Sequence, residues 1–278
     1  MIEPKTPQTG AHVAGHYDEL DSIYREIWGE HVHHGLWRTG RESVAEATDA
    51  LADLVAERLS PGAGGRLVDI GCGYGKTAAR LADKFAVSVT GFTLSEEQAK
   101  VARARPGALT FHVRDWLDNR APDGSFHHAY AIESTEHIAD KQSLFLEVAR
   151  TLQPGGRFVV CAWLSEDSPS RWRVRHLLEP ICREGRLPGM GTRVEYRDWA
   201  AAAGLNLTRY EDVSRQVRRT WTIVTRRVLA ELATSSRYRR YLTSRDKQHR
   251  QFALSLPRLI LAYRTGAMRY GVFTFEKP

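Results

Sequence analysis

Two groups of residues have types and spacings suited to chemistry. In LVDIGCGYGKTAARLA, residues 67–82, Asp69 is followed by Gly71, Gly73 and Gly75 at alternate positions. Glycine permits a tight turn and lets backbone approach a ligand closely. The helix expected from Lys76 points its positive end into the same crevice. In AIESTEHIADK, residues 131–141, Glu133 lies at a strand end, with Glu136 and His137 three and four positions on. A helical turn there would put Glu133 and His137 on one face. A carboxylate and an imidazole so placed can move a proton or stabilise a developing charge.

The glycine spacing narrows the ligand. A dinucleotide turn reads G-x-G-x-x-G, and here position 76 is lysine, which disfavours a pyrophosphate-bearing cofactor. An acidic Asp69 at the strand end suits an ammonium group, while turn amides suit a carboxylate. S-adenosylmethionine carries both, together with a sulfonium.

The elements that must position these groups follow from periodicity. GRLVDIG, VSVTGF, LTFHVRD, FHHAYAIES and RFVVCAW read as five short strands. GKTAARLADKF, SEEQAKVARAR and DKQSLFLEVARTLQPGG read as the helices between them. This alternation predicts an α/β fold with a parallel sheet covered on both faces. ESVAEATDALADLVAERLSPG is an amphipathic helix before the first strand, and HYDELDSIYREIW another before that. RRTWTIVTRRVLAELATSSRYRRYL reads as one long arginine-laced helix, and Gly271–Glu276 as the last strand. The expected organisation is an N-terminal lid with first helices (1–60), a ligand-binding core (61–164), a mostly helical inserted cap (165–250) and a closing helix and strand (251–278).

Composition bounds the function. The chain has 278 residues, ordinary apolar content of 42% and no apolar run long enough to span a membrane. Its first residues, MIEPKTPQTG, lack the apolar stretch of a signal peptide, so a cytoplasmic location is expected. Three cysteines are too few and scattered for a disulfide scaffold, and no His, Asp or Glu cluster has metal-ligand spacing, so no metal is expected. The net charge is +7, and residues 171–250 hold 19 Arg and Lys against 8 Asp and Glu. That surplus suits a solvated helical face, an anionic small molecule or a nucleic acid. No zinc finger, RNP-like strand or basic coiled coil supports the nucleic acid.

Five linked segments, 17–37, 68–75, 89–98, 114–116 and 133–141, resemble the class I S-adenosylmethionine-dependent methyltransferases with a Rossmann-like sheet. The resemblance is to the tocopherol and sterol C24 methyltransferase branch, related to the cyclopropane-forming enzymes. It implies S-adenosyl-L-methionine as donor, S-adenosyl-L-homocysteine as product, and a small apolar acceptor, prenylated or aromatic. Asp69, Gly71, Gly73, Gly75, Thr93, Leu94, Gln98, Asp115, Trp116 and His34 would bind the donor, although Gly91 and Phe92 replace the usual acidic residue at the second strand's end. Glu133 and His137 would carry the chemistry. Tyr17, Tyr24, Trp28, His33, Trp37 and Glu136 would line the acceptor pocket, with the N-terminal helix as a lid and a possible contact in a homo-oligomer. Two routes stay open. His137 would remove the proton of a hydroxyl or amine, or Glu133 would stabilise the cation formed by methylating a double bond. A tocopherol-like quinol, a prenyl diphosphate or RNA is the alternative acceptor, and a non-catalytic scaffold the alternative to an enzyme.

Overall fold

The computed structural model describes residues 1–27, 29, 31–243 and 255–278. Within them the chain alternates as its periodicity requires. Strands β1 (Arg66–Ile70), β2 (Ser88–Thr93), β3 (Leu109–Val113), β4 (Phe126–Ile132) and β5 (Leu152–Ser165) are joined through helices α3 (Lys76–Phe85), α4 (Glu96–Arg103) and α5 (Lys141–Thr151). Two more strands, β6 (Asn206–Asp212) and β7 (Met268–Glu276), complete a seven-stranded sheet of order β3-β2-β1-β4-β5-β7-β6. The first five pair in parallel, and β7 runs antiparallel between β5 and β6.

This order places the site. From β1 the chain steps outward to β2 and β3, then returns to lay β4 on the other side of β1. The reversal opens a crevice at the carboxyl ends of β1 and β4. The glycine turn leaves β1 there, and the turn carrying Glu133 leaves β4 there. Two motifs about sixty residues apart thus become neighbours, with Asp69 paired in register with Tyr130.

Both faces of the sheet are covered. Helix α2 (Val44–Leu59) starts at a capping box in which Ser43 and Glu46 satisfy each other's backbone amides. It buries Leu51, Val55 and Leu59 with Leu67, Leu81 and Val159 on one face. On the other face α5 buries Leu144, Phe145 and Val148 with Phe158 and Phe275. Residues 171–202 supply α6 (Arg171–Arg173), a π-helical turn (Val174–Leu178), α7 (Glu179–Glu184) and α8 (Arg193–Ala202). After β6 follow α9 (Ser214–Val217), α10 (Arg219–Thr234), α11 (Ser236–Thr243) and α12 (Leu256–Thr265). The segment 165–250 therefore gives the sheet its edge strand as well as helices.

Three boundaries differ from expectation. The fifth strand extends from 157–163 to Leu152–Ser165, its start pairing Leu152 with Phe126 of β4, and the last strand begins at Met268 instead of Gly271 because it pairs antiparallel with β5 as far as Ser165. The long helix expected from 218 breaks at Ser235, whose extended backbone separates α10 from α11. Among the described residues no helix is long and apolar enough to cross a membrane.

Helix α1 (Gly10–Ile27) lies across the crevice, packed on α4 and α10. Polar bonds fasten it. Asp18 accepts from the Ser95 hydroxyl at 2.5 Å, and Asp21 accepts from the Tyr74 hydroxyl at 2.8 Å. Replacing Tyr74 with phenylalanine removes the second bond from a buried site, at a cost of about 1 kcal/mol. A stopped-flow measurement of donor release is expected to show a severalfold faster off-rate in Tyr74→Phe, and an unchanged rate means that this latch does not hold α1 closed.

Candidate active site

A cavity opens at the crevice, its floor the turn after β1. Gly71 adopts φ +80° and Gly73 φ +52°, both in the left-handed region. At Gly71 a β-carbon would collide with Ser134, whose hydroxyl sits 2.8 Å from that position and donates to the Ile70 carbonyl. At Gly73 a side chain would enter open space, 4.0 Å from Gln98 Nε2. Backbone alone therefore meets whatever occupies the cavity here.

Gly71, Gly73, Thr93, Leu94, Gln98, Asp115 and Trp116 all line this cavity, with Val13 and Tyr17 of α1 on the opposite wall. The Thr93 hydroxyl donates to Gln98 Oε1 at 3.0 Å, which turns the Gln98 amide nitrogen toward Gly73. Asp115 is exposed at the mouth and caps the short turn beginning at Trp116, accepting from Leu117 N at 2.9 Å. The Trp116 indole nitrogen is buried with no hydrogen-bond partner among the described residues. The missing acid after β2 has a steric explanation. A β-carbon at Gly91 would stand 2.6 Å from Phe111 and 2.8 Å from Cys72 of the glycine turn, so no side chain fits.

Other expected donor-binding residues lie behind the wall. Gly75 is the left-handed N-cap of α3, where a β-carbon would strike the Phe111 ring, and it serves packing. Asp69 is 3% exposed and accepts from the Tyr130 hydroxyl at 2.9 Å. Burial pushes its carboxyl up to about 7, against the pull of that hydrogen bond. Bare backbone at Gly71 and Gly73, with the Gln98 amide and the Asp115 carboxylate beside it, fits a polar ligand, and the Asp69 carboxyl under the turn, with no cation beside it among the described residues, suits an ammonium group above.

Glu133 follows β4 in left-handed backbone, φ +53°, an uncommon state for a residue with a β-carbon. The conformation aims its carboxylate at four donors. Oε1 accepts from the backbone N–H of His34 at 2.7 Å and the Tyr270 hydroxyl at 2.7 Å. Oε2 accepts from His34 Nδ1 at 2.8 Å and Trp163 Nε1 at 2.8 Å. Burial alone would push Glu133 up, but the charge and hydrogen bonds of His34 outweigh it and hold the carboxyl down to about 2. A carboxylate so saturated has no lone pair left for a substrate proton.

His34, expected among the donor-binding residues, does not line the first cavity. Its Nδ1–H is spent on Glu133, and the ring also lines a second cavity. Tyr263 OH lies 3.4 Å from Nε2. The rings of Trp163, Trp221, Tyr263 and Tyr270 surround His34, with centroids 5.0–5.8 Å away. The second cavity adjoins the first, sharing Tyr17, Val32, Glu133 and His137 as a common wall.

His137 is in that shared wall. Its Nε2 takes the Tyr17 hydroxyl at 3.0 Å, and its Nδ1 meets the Arg186 carbonyl at 3.3 Å. Burial pushes it down to about 4, so it is neutral. Three further candidates are placed elsewhere. Glu136 is buried away from both cavities, accepting from the Trp163 backbone amide and from Thr135. His33 bonds the His34 carbonyl at 2.8 Å and His31 at 3.0 Å, and burial pushes it down. Trp37 packs against Gly35 and donates to the Glu42 carbonyl. The Tyr24 side chain and Trp28 lie outside the described residues. Among the described residues no group of three or more His, Cys, Asp or Glu side chains is set to hold a metal.

Trp163, Tyr270 and Tyr263 were not anticipated. Trp163 had a signal, since it stands near the carboxyl end of the fifth strand, where ligands collect. The two tyrosines lie in the C-terminal segment, Tyr270 137 residues from Glu133 and Tyr263 229 residues from His34, and nothing local in them points to the site.

The sheet order, the glycine turn and the paired cavities define a class I methyltransferase. Residues 5–256 match the family described as mycolic acid cyclopropane synthetase, and the chain belongs to that family of S-adenosylmethionine-dependent methyltransferases. It is 34% identical to 27-O-demethylrifamycin SV methyltransferase of Amycolatopsis mediterranei over 78% of this chain and 82% of that one. It is 30% identical to the chloroplastic tocopherol O-methyltransferase of Arabidopsis thaliana over 96% of this chain and 82% of that one. Among solved structures, it superposes on geranyl diphosphate C-methyltransferase from Streptomyces coelicolor A3(2), in complex with Mg2+, geranyl diphosphate and S-adenosyl-L-homocysteine. That match has a TM-score of 0.73 at 23% identity, covering 99% of this chain and 100% of the other.

Proposed function

We propose that this enzyme methylates a hydroxyl oxygen on an apolar small molecule, prenylated or aromatic, with His34 as the general base. The observation that carries the reading is the four-donor cage on Glu133. It occupies the lone pairs of Glu133 and orients the His34 ring at the wall of the second cavity, which supports His34 as the base once an acceptor hydroxyl replaces Tyr263 at Nε2. Two relatives at 30–34% identity over most of the chain bear names of O-methyltransferases, which supports oxygen as the accepting atom.

When bound, S-adenosylmethionine supplies an electrophilic methyl group and leaves as S-adenosylhomocysteine. Gly71, Gly73, Gln98, Asp115, Trp116 and the buried Asp69 are the residues that would hold it. The chain's own contribution is then positioning, exclusion of water and one proton. The aromatic rings around His34 form an apolar wall for the acceptor. Helix α1, latched through Tyr17 to His137, covers both cavities from solvent. The acceptor hydroxyl gives its proton to His34 Nε2, and Glu133 stabilises the imidazolium that results.

The test is turnover with methyl-labelled donor on a panel of phenols, quinols and prenylated aromatics, read by mass spectrometry. Label on oxygen is the expected product. Label on carbon overturns the assignment of His34 as base for a hydroxyl, and label in added RNA overturns the small-molecule reading.

Asp69 gives a pH dependence. In the free protein its carboxyl sits at about 7, and a bound ammonium would favour the ionised form. Because the free protein holds a proton that the complex does not, donor affinity rises with pH up to about 7. Calorimetry is expected to show roughly a fivefold gain between pH 6 and pH 7 and nearly one proton released per donor at pH 6. Asp69→Asn should abolish both effects. A flat wild-type profile means that Asp69 does not meet the donor's ammonium.

A further inference from the structure

Outside the two cavities of the site, helices α9, α10 and α12 line a third, solvent-open cavity of about 460 Å3. Arg219, Thr222 and Arg226 face it from one side of α10, at the three- and four-residue spacing of a single helical face. Arg215 and Arg218 enter from α9 and its end, and Arg264 from α12. Among the described residues no acidic one lines it. Several arginines elsewhere are matched. Arg58 pairs with Glu211, Arg80 with Asp53, Arg150 with Glu147 and Arg173 with Glu166. Among the described residues no carboxylate pairs with Arg215, Arg218, Arg226 or Arg264, and Arg219 donates to the Gly40 carbonyl.

Five guanidinium groups around one cavity repel each other, and nothing in the fold requires them to share it. A multiply charged oxyanion removes the repulsion and takes the paired N–H bonds that guanidinium offers. The far wall identifies the neighbour. Tyr263 lines this cavity, and its buried hydroxyl lies 3.4 Å from His34 Nε2. We propose that the cavity is an oxyanion site for phosphate-, diphosphate- or sulfate-like groups. It stands one tyrosine side chain behind the methyl-accepting position, placed to hold an acidic group carried by the acceptor. The link to the acceptor rests on the proposed function, whereas the anion site does not.

The probe is inorganic pyrophosphate, titrated calorimetrically into the full chain at low ionic strength. One equivalent is expected to bind, more weakly as salt rises. Arg218→Ala/Arg226→Ala should lose at least tenfold in affinity while donor binding stays unchanged. Both arginines are exposed, so folding should survive, and Arg215→Ala/Arg264→Ala tests the site by other contributors. No binding, or equal binding by wild type and both variants, overturns the proposal. A second arm separates the sources of the anion. Pyrophosphate that competes with the acceptor in the turnover assay assigns the oxyanion to the acceptor. Pyrophosphate that binds without competing assigns the site to a free phosphate species and removes the acceptor's acidic group. Because the titration needs no turnover, its failure is distinct from failure of the methyl-transfer reading.

Discussion

Replacing His34 with glutamine is expected to lower kcat by about 10²–10⁴, the range for loss of a general base. That corresponds to about 3–5 kcal/mol of barrier. The donor cavity does not include His34, so donor affinity should remain within a factor of about two of wild type, and the acceptor's KM should change little. Glu133→Gln provides the contrast. An amide there turns an N–H₂ group toward donors that had faced a carboxylate, in a site where Glu133 is 7% exposed. Removing one partner of such a buried pair costs about 3–5 kcal/mol of stability. Glu133→Gln should therefore lose both fold stability and turnover, and His34→Gln turnover alone. Single-turnover kinetics beside thermal unfolding separates the two. A His34→Gln enzyme retaining more than a tenth of wild-type kcat rules out this histidine as the base.

The second large effect belongs to Gly71. Alanine there must keep φ near +80° and place its β-carbon against Ser134. The backbone penalty is about 1–2 kcal/mol. Overpacking against the Ser134 turn adds about 1–3 kcal/mol. The sum is expected to lower Tm by roughly 10 °C and to abolish donor binding, because moving Ser134 also moves Glu133 beside it. Gly73→Ala separates the causes. Its β-carbon meets nothing closer than Gln98 at 4.0 Å, so this variant pays mainly the backbone term but narrows the donor cavity. It should fold near the wild-type Tm and still bind donor at least tenfold more weakly. Wild-type donor affinity in Gly73→Ala would show that the donor does not approach this turn.

Some of this was settled along the chain. Apolar runs of strand length alternate with helical spacing from Arg66 to Ser165, which is enough for a parallel sheet with helices on both faces. Alternate glycines after an acidic strand end dictate a turn that brings bare backbone to the crevice, and Gly71 and Gly73 do so with positive φ. The candidate donor residues from Thr93 to Trp116 follow strand ends, so parallel pairing alone collects them on one rim. These are short-range properties: a side chain's period and a backbone's freedom depend on near neighbours in sequence.

The proposed proton carrier is legible only in three dimensions. His34, Glu133, Trp163 and Tyr270 come from a loop, a turn and two strands, and only the placement of β7 beside β5 brings the last two to the first two. Nothing local distinguishes His34 from His33 or His137. What separates them is the kind of partner on each ring: His33 is bonded to His31 and the His34 carbonyl, and His137 to Tyr17 and Arg186. Of the three, only His34 has a carboxylate on one nitrogen, and its other nitrogen meets the Tyr263 hydroxyl at 3.4 Å. Hydrogen-bond partners chosen across a hundred residues of chain are a property of packing, and packing is decided by the whole fold at once.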